Sequence, residues 1–102
     1  MFILEGAAAA RGAEIGKGWA GSLTMGAGQF CTNPGTVVIL KDQAEVFTTA
    51  AAKALEKTTA QTMLTDGIAS AFRKGQSRIA ASEGVQAVLT TTCDGRGATP
   101  YL

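Results

Sequence analysis

The sequence predicts an α/β fold: a small, mostly parallel sheet with flanking helices, within a single domain spanning 1–102. Three observations lead there. Strand-length apolar runs recur at Phe2-Ile3-Leu4, Thr36-Val37-Val38-Ile39-Leu40 and Val85-Gln86-Ala87-Val88-Leu89-Thr90. Stretches whose apolar residues repeat at helical spacing separate them. The resulting order is strand, helix, strand, helix, helix, strand, as in parallel strands joined by helical crossovers. Such a sheet has edges that need covering.

Phe2-Ile3-Leu4 is ended by Glu5-Gly6. Residues 7–28 are alanine-rich, and Ile15, Trp19 and Leu23 share one helical face with Ser22 alongside. The same run carries Gly12, Gly16, Gly18, Gly21, Gly26 and Gly28. An interior glycine costs about 0.5–1 kcal/mol relative to alanine, so this helix needs close packing to persist. Cys31-Thr32-Asn33-Pro34-Gly35 reads as a turn, because proline biases Asn33 away from helical geometry. The β-branched run 36–40 suits a strand buried on both faces. Asp42 is a candidate N-cap for a helix over 43–57, with Phe47, Ala50, Ala51, Ala54 and Leu55 as its apolar stripe. Residues 58–64 form a polar connection with Met63 and Leu64 turned inward. Thr65 or Asp66 caps a helix over 67–82, whose face is Ile68, Ala71, Phe72, Gly75 and Ile79. The end, Cys93 to Pro100, reads as a loop.

Composition narrows the function classes. Hydrophobic residues make up 46% but aromatics only 6%, so the core is thin and a partner surface, including a second copy in a homo-oligomer, would help it. A net charge of +1 gives no electrostatic reason to expect nucleic acid or an anionic membrane. No apolar run approaches the roughly 20 residues of a spanning helix, and the start lacks the features of a secretory signal. The 2 cysteines form no disulfide framework, which suits a cytoplasmic setting, although a Cys31–Cys93 bridge stays open. Histidine is absent, which removes Cys-His and Ser-His mechanisms within this chain and the usual zinc patterns.

Cys31 is the candidate nucleophile. Its neighbours are small or polar, and a turn can leave the sulfur accessible to a carbonyl carbon. From the residues alone, a small buried hydrophobe is the more ordinary role for a lone cysteine. Gly28-Gln29-Phe30-Cys31-Thr32-Asn33-Pro34-Gly35 resembles the nucleophile segment of the aldehyde dehydrogenase superfamily, preceded by a helix ending Ser22-Leu23-Thr24-Met25-Gly26. Phe2-Ile3-Leu4 resembles the strand after that family's general-base segment. Gln61-Thr62-Met63-Leu64-Thr65 resembles the branch acting on α-ketoglutaric semialdehyde.

The resemblance implies that 1–102 is the nucleophile-bearing part of an aldehyde dehydrogenase catalytic domain. Cys31 would add to the aldehyde to give a thiohemiacetal. Hydride transfer to NADP or NAD would leave a thioester, and water would release the carboxylate. The Cys31 backbone N–H would be an oxyanion donor. The family's amide donor, its general-base glutamate and its nucleotide-binding domain would lie upstream of Met1. A glutamate contacting the cofactor ribose would lie beyond Leu102. The isolated chain is therefore expected to bind no cofactor and to be inactive. A helix ending just before Cys31 would oppose thiolate formation through its dipole, so activation is expected from the missing parts.

Other features have plainer readings. Gly16-Lys17-Gly18-Trp19-Ala20-Gly21 is a literal G-x-G-x-x-G, but it lies within a helical run rather than after a strand. Trp19 suits a core. Glu5, Glu14, Glu45, Glu56 and Glu83 match no family position and read as solvated surface, as do Lys53, Lys57, Arg73, Lys74 and Arg78. A rival from another class is a non-catalytic α/β module that self-associates through sheet edges or the small-residue helix.

Overall fold

A computed structural model describes residues 1–93, 95–100 and 102. Helix α1 runs over Glu5–Thr24, a 3₁₀ turn over Met25–Gly28, and α2 over Lys41–Leu55. Strand β1 is Gln61–Thr62, helix α3 is Asp66–Ala80 and strand β2 is Gly97–Ala98.

α1 and α2 pack into the main core. The central contact is glycine against backbone. A Cβ built on Gly16 would stand 2.5 Å from the Phe47 carbonyl oxygen and 3.3 Å from the Ala51 nitrogen. Gly12 faces Val46 in the same contact. Gly16, which weakens the helix locally, thus permits its tertiary packing; a Cβ on Gly12 would make an ordinary 3.7 Å contact with Val46, and Gly6, Gly18 and Gly21 face open space. Trp19, only 6% exposed, tilts against Phe47 with ring centroids 5.5 Å apart. Such a pair adds about 0.5–1.5 kcal/mol beyond burial. Ile3, Ala8, Ala20, Ala51 and Leu55 complete the buried cluster, with Ile15, Leu23 and Ala54 half-buried against it. The expected faces of the first two helices are therefore the ones used, except that Ser22 is exposed.

The sheet is a correction. It has two strands and is antiparallel, not mostly parallel, with Gln61 opposite Ala98 and Thr62 opposite Gly97. Phe2-Ile3-Leu4 and the run 36–40 do lie side by side in parallel, but only as a single bridge between Phe2 and Val38. Ile3 N–H donates to the Val38 carbonyl at 2.9 Å and Val38 N–H to the Met1 carbonyl at 2.8 Å. Phe2 is 79% exposed, and Leu4, Val38 and Leu40 are also open to solvent. A parallel pair depends on cover over both faces, and here only the face of Ile3, Val37 and Ile39 meets the core. The run 85–90 is not a strand either: Val85 and Val88 are exposed, and its backbone bonds to Leu102 are confined to Val88 N–H, donating at 2.6 Å, and Leu89, donating at 2.8 Å and accepting at 3.1 Å. In the expected terminal loop, Gly97–Ala98 is strand β2, and Asp94 lies outside the described residues.

Helix ends shift by a few residues. α1 stops at Thr24 because Gly26, Ala27 and Gly28 all take positive φ, at 58°, 56° and 73°. Asp42 is not the cap of α2. Leu40 holds that position without a side-chain bond, and Asp42 sits in the first turn, where a carboxylate still meets the positive dipole end. Thr65 does cap α3, accepting from Ile68 N–H at 3.2 Å. Met63 is buried but Leu64 is 72% exposed, since successive side chains of an extended segment point to opposite sides. α3 buries Ala69, while Ile68, Phe72 and Ile79 of its expected face remain exposed. Among the described residues no helix is long and apolar enough to cross a membrane.

Candidate active site

The segment leading to Cys31 is built by an exchange of partners at the end of α1. In a continuing helix the Leu23 carbonyl would accept from Ala27 N–H. Here Ala27 N–H donates instead to Gln61 Oε1 at 2.8 Å, and the Leu23 carbonyl accepts from Asn33 Nδ2 at 2.8 Å. The chain leaves the helix through its left-handed residues, and Gly28 passes 3.5–3.6 Å (as a Cβ there would measure) from the Leu23 oxygen and Asn33 Nδ2. Gln29 bridges outward: its Nε2 donates to the Gly26 carbonyl at 3.0 Å, and its Oε1 accepts from Leu64 N–H at 3.0 Å.

Cys31 then lies in a turn closed by Asn33 N–H donating to the Phe30 carbonyl at 3.0 Å. Beyond it, the Trp19 indole N–H donates to the Pro34 carbonyl at 2.7 Å. The expected turn is present, and Asn33 shapes it through its side chain. Cys31 is exposed and is a free thiol, as is half-buried Cys93. Among the described residues nothing hydrogen-bonds the Cys31 N–H, which leaves it able to donate.

A cleft of about 560 Å³ opens beside this turn. Leu23, Gly28, Asn33 and Gly35 line one side, and Met63, Phe72 and Ile79 the other. Cys31 flanks these residues in sequence but does not itself line the cleft. Gly16–Gly21 lies inside α1, with Gly16 pressed on α2, so it has neither the preceding strand nor the open helix start of a dinucleotide cradle. Glu5, Glu14, Glu45, Glu56 and Glu83 are all exposed. Among the described residues no group of three or more His, Cys, Asp or Glu could hold a metal.

Three contributors escaped sequence reasoning: the Trp19 indole N–H, the Gln29 amide and the Gln61 amide. Helical spacing placed Trp19 on a face but could not reveal a bond reaching 15 residues along the chain. Gln61 carried a family signal without a structural reason; its bond to Ala27 supplies one.

The chain is 43% identical over 104 residues to α-ketoglutaric semialdehyde dehydrogenase 2 of Azospirillum brasilense, a match covering 96% of this chain and 20% of that relative. Its resemblance to the aldehyde dehydrogenases is thereby shown. It is also 28% identical over 89 residues to the α-ketoglutaric semialdehyde dehydrogenase of Acinetobacter baylyi, covering 86% of this chain and 17% of that one. The chain thus spans about a fifth of the length of the curated relatives it matches. No family model matches it.

Proposed function

We propose that this chain is the nucleophile-bearing part of an aldehyde dehydrogenase whose substrate is an ω-carboxylated aldehyde, α-ketoglutaric semialdehyde first. The observation that carries this reading is Cys31, an exposed free thiol in a turn tied to α1 by two hydrogen bonds at Asn33 and Pro34. The names of the two relatives supply the substrate class. Cys31 Sγ adds to the aldehyde carbon as its thiolate, forming the C–S bond of a thiohemiacetal. The electron pair of the carbonyl moves onto oxygen, where the Cys31 N–H can donate to it.

The G-x-G-x-x-G run lies within α1, with Gly16 against α2, and so does not have the form of a dinucleotide cradle. NADP or NAD, the hydride acceptor in this reading, is held by the rest of the parent enzyme. The base that activates Cys31 also belongs there. The parent is cytoplasmic and homo-oligomeric in this reading, with neither nucleic acid nor membrane as partner. Replacing Cys31→Ala in the full-length parent tests the role. A fall in kcat of about a thousandfold or more, with folding intact, supports it. Unchanged turnover removes it.

The exposed apolar residues Phe2, Leu4, Ile68, Phe72 and Ile79 favour a second reading, a non-catalytic module that self-associates. Cys31→Ala separates the two, because a module loses nothing with its thiol.

A further inference from the structure

We infer that Trp19 and Asn33 are positioning residues for Cys31, an inference that rests on Cys31 being the nucleophile. Their side-chain N–H groups run in opposite directions between α1 and the turn. Trp19 belongs to α1 and reaches the turn at the Pro34 carbonyl, 2.7 Å away. Asn33 belongs to the turn and reaches α1 at the Leu23 carbonyl, 2.8 Å away. Both bonds are partly buried, and each joins a fixed element to a segment otherwise closed by one backbone bond, Asn33 N–H to Phe30. Trp19 is itself immobilised by burial and by the Phe47 ring. The sulfur is presented from a turn whose position is set by the helix, not by the sulfur's own contacts. Reaction at a carbonyl depends steeply on such placement.

Hydrogen exchange on the 102-residue chain tests this locally. Trp19→Phe keeps a six-membered aromatic ring but removes the donor together with the pyrrole part of the indole. Asn33→Asp keeps the shape and replaces the donor with an acceptor. Each is expected to speed exchange of the amide at position 33 by about tenfold, the effect of losing one partly buried hydrogen bond. Exchange in the middle of α1 should stay as it was. No change at position 33 in either variant, or equal acceleration throughout α1, overturns the positioning role. In the full-length parent the same variants should lower kcat about tenfold or more while KM for the aldehyde stays within about twofold. A rise in KM alone counts against the inference. Activity that survives Cys31→Ala sinks the nucleophile reading beneath it, whereas activity lost there but untouched by Trp19→Phe and Asn33→Asp sinks the positioning role alone.

Discussion

Gly16 rests directly on the backbone of Phe47: a methyl group on the glycine would come within 2.5 Å of the Phe47 carbonyl oxygen. Gly16→Ala must push α1 and α2 apart, and since the obstacle is backbone it cannot rotate away. A loss of about 1–3 kcal/mol is expected. Gly18→Ala, in the same helix but facing open space, should gain about 0.5–1 kcal/mol. Urea unfolding of the two variants checks the pair, and equal effects would mean that α1 does not dock on α2 through Gly16.

Ala27 sits at φ 56° between two left-handed glycines. An L-residue there is strained by about 1–2 kcal/mol, part of which glycine returns as unfolded-chain entropy. Ala27→Gly should therefore raise stability modestly, by about 0.5–1 kcal/mol, in thermal unfolding. A destabilised variant would show that the chain does not leave α1 by this route.

The isolated chain should not sustain turnover. Bringing nucleophile, base and cofactor together is worth roughly 7–11 kcal/mol in favourable cases, and in the proposed reading this chain supplies only the nucleophile. With semialdehyde and NADP, absorbance of the reduced cofactor should stay flat. Continued growth of that signal would mean that base and cofactor sites exist within 102 residues.

Phe72 and Ile79 leave an apolar stripe of α3 facing solvent. If that stripe meets another surface, the chain should associate as its concentration rises, and Phe72→Ser with Ile79→Ser should reverse this in light scattering. Phe72→Ser should leave the main core intact, since that core is built from α1, α2 and Ile3. A chain that is monomeric at all concentrations would remove the self-association reading.

The legibility of the sequence followed the range of the forces involved. The Trp19 and Phe47 faces were readable because helical periodicity is local and the core rewards it. The turn at Cys31 was readable from Asn33-Pro34-Gly35. Whether the runs 2–4, 36–40 and 85–90 become a sheet depends on what covers them, which no window of sequence reports. Val38 and Val88 have strand chemistry and stay exposed. The side chains that tie this segment down, the Trp19 donor and the Gln61 acceptor, come from far along the chain, so spacing around Cys31 carried no trace of them.

The central claim is that Cys31 forms the covalent bond to substrate. Mixing the full-length parent with semialdehyde and oxidised cofactor, quenching in acid within one turnover and digesting with trypsin isolates the peptide Gly18–Lys41. Its mass should rise by that of the acyl group, with the fragment ions placing the addition on Cys31. An unmodified Gly18–Lys41 peptide, with the acyl group found on another residue during full turnover, would contradict the account.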